Sequence, residues 1–204
     1  MDNKIQSGFT LIEILVAVAV AAILLGIGIP SFSGAIKNSQ VSSDYNELTQ
    51  ALYLARSEAI KSGTPITVCP RKTDTAQQCG TTQAHWDHGW LVFQDNQLAT
   101  GENNAEVGPL DVIIAIHPPK RSDNDITAKG SIDRTRNTVS DRTYIRYSSD
   151  GSSNWGNGSF LLCDYEEFEH SRVLNVAPTG DVRPGRPSGS DYPRDVFTDE
   201  VCKP

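Results

Sequence analysis

The sequence predicts an α+β fold: one long N-terminal α-helix whose second half packs on an antiparallel β-sheet domain. Three observations lead there. An apolar run, Phe9–Ile29, is followed by a stripe of apolar residues at helical spacing. That stripe stops at Gly63 and Pro65. Beyond it come short apolar segments between Gly, Pro, Asn and Asp clusters, the pattern of antiparallel strands.

The first element is the apolar run. Phe9–Ile29 has 21 residues, of which only Thr10, Glu13, Gly26 and Gly28 are not apolar. As a helix it reaches ~31 Å, the thickness of a hydrocarbon core. A cleaved secretory signal is one reading, since Ala17–Ala22 ("AVAVAA") offers small residues for a cut. However, "ILLGIGI" follows, and a cut there leaves a greasy new N-terminus. A plain membrane anchor accounts for the length but not for Glu13, because a carboxylate near a bilayer centre costs about 2.5–3.5 kcal/mol. Glu13 lies four residues after Phe9, one helical turn along the run. Pro30 lacks an amide hydrogen and sits beside Gly26 and Gly28, so it reads as a helix hinge rather than an end.

Val41, Tyr45, Leu48, Leu52, Ala55 and Ala59 then step by three and four along one helix face, with Ser43, Glu47, Gln50 and Lys61 off it. A helix from Phe9 to about Lys61 would be roughly 80 Å long, too long for one small domain to cover. Its first half is therefore expected to project, and its second half to lie on the sheet.

Strands are expected at Ile66–Cys69, Gly89–Phe93, Leu110–Ile116, Thr143–Tyr147, Ser159–Cys163 and Arg172–Val176. Lys120–Asp141 is polar with little pattern and is expected as a long loop. His85 and Trp86 are expected in a loop leading to Gly89, Pro178–Asp181 forms a turn, and the tail from Arg183 is rich in Pro and Gly.

Composition narrows the function. The 204 residues carry 18 Lys and Arg against 25 Asp and Glu, a net charge of −7, which argues against nucleic acid as a default partner. The four cysteines, Cys69, Cys79, Cys163 and Cys202, suggest two disulfides in an oxidising compartment. Three pairings are open. Cys69–Cys79 with Cys163–Cys202 is preferred because each bridge restrains a stretch with little periodic structure.

Cys69, Cys79, His85 and His88 resemble a zinc set, but the cysteines are widely spaced for one. Asp164, Glu166, Glu167, Glu169 and His170, and separately Asp150, Asn154 and Asn157, have calcium-ligand chemistry; loop and turn propensity account for both groups. No nucleophile elbow, phosphate-binding loop or zinc-protease helix is present, so neither catalysis nor a metal or cofactor is expected.

"SGFTLIE" (Ser7–Glu13) resembles the processing motif of type IV pilins and type II secretion pseudopilins. The resemblance implies a leader of residues 1–8 removed by a prepilin peptidase between Gly8 and Phe9, and N-methylation of Phe9. It implies a membrane and filament-core helix over 9–30 and a periplasmic pilin-like domain over 31–204. Glu13 becomes the contact that registers a subunit in the growing fibre. "YLARSEAIKSG", "ITVCP", "HGWLVFQD" and "SFLLCDYEEFEHSRVLNVAPTGDVR" are similar to the GspH/FimT/FimU group of minor pilins and pseudopilins.

That likeness implies a low-abundance subunit, single-pass in the bacterial inner membrane and later near the tip of a pilus or pseudopilus. Its partners would be other minor pilins, the major pilin, the inner-membrane assembly platform and, before assembly, the lipid bilayer. Some members of the FimT type carry a C-terminal G-R-x-R element linked to DNA uptake. Here the place reads "GDVRPGRPSG" and lacks the second arginine. Arg183, Arg186 and Arg194 remain as candidate phosphate contacts in a tail of balanced charge.

Overall fold

The computed structural model describes residues 9–80, 83–96, 106–120, 126–133, 138–141, 143–153, 158–163 and 171–185, without the side chains of 27–34, 83–85, 127–133 and 138–141. Helix α1 runs Leu11–Ser62. The chain divides into two compact units, Met1–Ser39 and Gln40–Pro204, and α1 contributes to both. The backbone is helical through Pro30, whose side chain is outside the description.

In the second unit α1 buries the stripe read from the sequence. Val41, Leu48, Leu52, Ala55 and Ala59 are buried, and Tyr45 packs at the margin. Each fully buried leucine contributes about 1.5–3 kcal/mol. The helix stops at Gly63, whose amide donates to the Ala59 carbonyl at 3.0 Å and whose φ is +67°, the left-handed cap that glycine adopts without penalty.

Among the described residues nine strands follow: β1 (Ile66–Pro70), β2 (Trp90–Gln94), β3 (Val112–Ile116), β4 (Ile126–Asp133), β5 (Thr138–Asp141), β6 (Ile145–Tyr147), β7 (Gly158–Leu162), β8 (Arg172–Val176) and β9 (Val182–Gly185). They form two antiparallel sheets, ordered β3-β2-β1-β6 and β5-β4-β7-β8-β9. One face of the first sheet (Ile66, Val68, Trp90, Val92, Ile145, Tyr147) and one of the second (Phe160, Leu162, Leu174, Val176) share a core with the α1 stripe. On the opposite face of the first sheet, Cys69, Leu91 and Phe93 form a smaller cluster with Val107, Ile113 and Tyr144.

Three expectations are corrected. Lys120–Asp141 is not one long loop, because β4 pairs with β7 from Ile126↔Leu162 to Gly130↔Gly158 and β5 pairs with β4. Backbone ladders hold these strands, β4 to the apolar β7 and β5 to β4, and they leave little mark on the strands' own polar sequence. The tail does not begin at Arg183: β9 pairs with β8 from Val176↔Val182 to Val173↔Gly185 and ends the sheet with Pro184, a residue suited to an edge. Gln83–His88 is a 3-10 turn rather than a loop, and it buries Trp86 edge-on against Phe160 with ring centroids 4.8 Å apart.

Cys69 and Cys79 are disulfide-bonded, with Cα atoms 5.5 Å apart. The bond closes a hairpin in which the Lys72 amide donates to Gln78 and the Gly80 amide to Pro70. Arg71 fills the hairpin, its Nε donating to the Ala76 carbonyl at 2.9 Å. Replacing both cysteines by serine is expected to cost about 2–3 kcal/mol, the loop entropy released in the unfolded chain. Thermal melts of the two proteins under non-reducing conditions measure it.

Candidate assembly site

The N-terminal helix starts at a cap that the sequence reading missed. Thr10 precedes the first helical residue, and its carbonyl accepts from the amides of Glu13 at 3.1 Å and Ile14 at 3.3 Å. Its hydroxyl also accepts from the Glu13 amide, at 3.3 Å. Thr10 and Glu13 thus occupy the first and last positions of a Thr-x-x-Glu capping box, a pattern visible in the sequence. Both bonds to Glu13 use its amide; a glutamate at this place also has the chemistry to reach back to the Thr10 amide.

Phe9 is 79% exposed, and every large apolar side chain from Leu11 to Leu25 is at least half exposed. Ile12, Leu15, Val20, Leu24 and Leu25 project around the whole circumference, since successive residues are about 100° apart. A helix that is apolar on all sides requires lipid or other helices around it. Among the described residues no helix is long and apolar enough to cross a membrane. The described side chains of this run stop at Gly26, so the last three residues of Phe9–Ile29 fall outside them. Gly8 is also outside.

The other candidates are dispersed. The disulfide takes both sulfurs from the zinc-like set. His88 Nδ1 pairs with Asp74 Oδ1 at 2.5 Å, and the side chain of His85 is outside the described residues. Asp150 Oδ1 accepts from the Ser152 amide at 2.9 Å, making a turn, while Asn154, Asn157 and 164–170 lie outside. Among the described residues no group of His, Cys, Asp and Glu is placed to hold a metal. Cys163 is buried and disulfide-bonded; Cys202 is outside the described residues.

Of the three tail arginines, Arg186 and Arg194 are outside. Arg183 is exposed but paired, its Nη2 lying 3.1 Å from Asp181 Oδ2. Arg56 of α1 pairs with the other oxygen of the same carboxylate at 2.8 Å. Hydrogen bonds from Arg56 first, then Thr179 and Arg183, hold the Asp181 carboxyl below the usual carboxylate range, so it stays charged and keeps part of the arginine charge occupied.

Residues 44–180 match the family described as type II transport protein GspH. The chain belongs to the GspH family. The match begins in the second half of α1 at Asp44 and ends at Gly180, so it takes in most of the helix–sheet core of the second unit. Residues 3–29 separately match the prokaryotic N-terminal methylation motif, which includes Gly8, Phe9 and Glu13.

Two fimbrial proteins of Pseudomonas aeruginosa are 34% and 36% identical to the chain over 109 residues, 52% of this chain and 70% of each of theirs. Two crystal structures of the type IV minor pilin FimU of P. aeruginosa strain PAO1 are similar at 15% and 14% identity. They cover 72% and 71% of this chain and 89% and 91% of their own, with TM-scores of 0.48 and 0.45. As a member of the GspH family the chain is a structural rather than catalytic component. Members of the family associate with other pilins in a pilus or pseudopilus.

Proposed function

We propose that this GspH-family subunit is a minor pilin of the priming or tip complex of a type IV pilus, serving pilus-dependent twitching motility, adhesion or DNA uptake. The observation that carries the reading is an all-round apolar helix with Glu13 as its one charge, joined to a GspH head. In this reading the peptidase cuts between Gly8 and Phe9, and Phe9 is methylated. Phe9–Ile29 spans the inner membrane with the head in the periplasm, and the same helix later enters the fibre core. Pro30 acts as the hinge between these settings. Cys163 pairs with Cys202 and ties down the C-terminal tail.

Glu13 is then the assembly contact, neutralised by the amine of a neighbouring Phe9. The capping box makes the choice of variant decisive. Glu13→Gln keeps a residue that can complete the box but removes the charge; Glu13→Ala removes both. Both variants are expected to insert in the membrane normally and to enter fibres roughly tenfold less or worse, as loss of a charge-assisted contact of about 1.5–3 kcal/mol implies. Immunoblots of sheared fibres against membranes read this. Normal incorporation of Glu13→Gln would remove the Glu13 charge as an assembly contact. Intact mass from native membranes checks the processing: a chain still starting at Met1 without methylation sinks the reading.

The description of the matched family, a type II transport protein, favours one alternative: a pseudopilin of a type II secretion system. Deleting the gene separates the two. Lost exoprotein secretion with normal piliation selects the pseudopilin.

A further inference from the structure

The residue after β3 is held from three directions. The His117 amide donates to the Trp90 carbonyl at 2.8 Å. Its own carbonyl accepts from Arg71 Nη1 at 3.4 Å. Its ring stacks on the Trp90 indole, centroids 5.2 Å apart and planes 24° apart. Gly89 lies directly against the carbonyls of His117 and Pro118, where any Cβ would collide with both. One residue thus pins the end of β3 and the start of the connection towards β4.

We propose that His117 is an acid-released clasp: charging its ring frees the end of β3 and the 117–120 connection while the rest of the head stays folded. The ring is half-buried against an indole that is itself 1% exposed, so a charge there loses much of its hydration. The charged groups around it do not make up the loss. Arg71, from the loop after β1, brings a second cation to the same residue. Lys120 and Asp87, from the connection and the 3-10 turn, form an ion pair with each other at 3.2 Å. Glu47 of α1 and the face of the Trp90 ring favour the imidazolium. Burial outweighs Glu47 and holds His117 below the ordinary histidine range.

The sign follows from proton linkage. The closed form binds fewer protons than the opened one, whose histidine titrates near pH 6.5. Closure is therefore fully favoured above about pH 6.5 and weakens as pH falls from there towards the closed-state value. β3 yields first because it is an edge strand, paired with β2 alone among the described residues.

Hydrogen exchange on the full chain in detergent micelles, between pH 7.5 and 5.0 and corrected for intrinsic rates, tests this. Protection of the 112–120 peptide is expected to fall about threefold or more on acidification, while that of β1 holds. His117→Gln should remove the fall. Glu47→Gln should deepen it, because removing the anion drops the closed-state value further below that of the opened form. Constant protection of 112–120, an equal fall in β1, or an equal fall in His117→Gln overturns the clasp. If His117→Gln does not fold, a fall in Glu47→Gln no deeper than in the wild type overturns it instead.

Discussion

Gly180→Ala is expected to destabilise the head by about 3–5 kcal/mol, whereas Gly63→Ala costs only about 1–2 kcal/mol. The two glycines share a left-handed backbone, with φ of +80° and +67°. Their surroundings differ. A Cβ at Gly63 meets nothing within 4 Å. A Cβ at Gly180 runs into the carbonyl oxygen of Gly151, a backbone atom that cannot rotate away.

Gly151 in turn faces Ile60 of α1, whose Cδ1 would lie 2.8 Å from a Cβ there. Two turns, one after β6 and one before β9, are therefore stacked glycine on glycine beneath the last turns of the helix. Arg56 and Tyr53 fasten the outer turn, Arg56 Nη2 donating to the Thr179 carbonyl at 3.1 Å and the Tyr53 hydroxyl to the Val182 carbonyl at 3.3 Å. The expected loss for Gly180→Ala is roughly 10 °C in melting temperature for a domain of this size. The difference between the two variants isolates the collision from the backbone strain; equal melting temperatures would show that the turns are not stacked this closely.

What the sequence revealed of this fold depended on whether side chains or backbone held each element. The α1 stripe was legible because Leu48, Leu52, Ala55 and Ala59 face one core and recur at its period. The strands at Ile66, Trp90, Val112, Ile145, Ser159 and Arg172 were legible because each carries an apolar run. β4, β5 and β9 were not: "ITAKGSID", "TVSD" and "VRPG" are polar or turn-like, and they join the sheet through ladders with β7, β4 and β8. The fit of Gly180 to Gly151 joins residues far apart in the chain and has no local signature.

At the candidate site the order reversed. Glu13 stood out as the one charge in an apolar run, while its partner in the cap, Thr10, was also in plain view as Thr-x-x-Glu. A neutral hydroxyl contrasts far less with an apolar run than a carboxylate does, so Thr10 does not stand out beside Glu13.

Asp95→Ala is the second large effect, at about 3–5 kcal/mol, the cost of leaving one member of a buried ion pair alone. Strand alternation puts Arg146 on the side of the first sheet away from α1, since its neighbours Ile145 and Tyr147 both enter the core. An arginine there would ordinarily reach solvent. Instead it is 6% exposed, and its Nη2 lies 2.7 Å from Asp95 Oδ2, itself on a residue 4% exposed.

Thr67 closes the group, its hydroxyl accepting from Arg146 Nε at 3.0 Å and donating to Asp95 Oδ2 at 3.1 Å. Tyr144 covers the guanidinium, with 5.0 Å between the Arg146 Cζ and the ring centroid. The register places Thr67 opposite Arg146, and the Asp95 amide donates to the Pro65 carbonyl at 2.9 Å, so β1, β2 and β6 are tied at one end. Removing Asp95 strands a guanidinium that Thr67 alone cannot compensate.

Asp95→Leu with Arg146→Met removes both charges and keeps apolar bulk. It is therefore expected to recover most of the loss, because a buried pair contributes little net stability against well-packed apolar replacements. Urea titrations of the wild type, the Asp95→Ala variant and the double variant measure both steps. A double variant as unstable as Asp95→Ala would mean that the network does more than neutralise itself, and that its hydrogen bonds set the strand register at this end of the sheet.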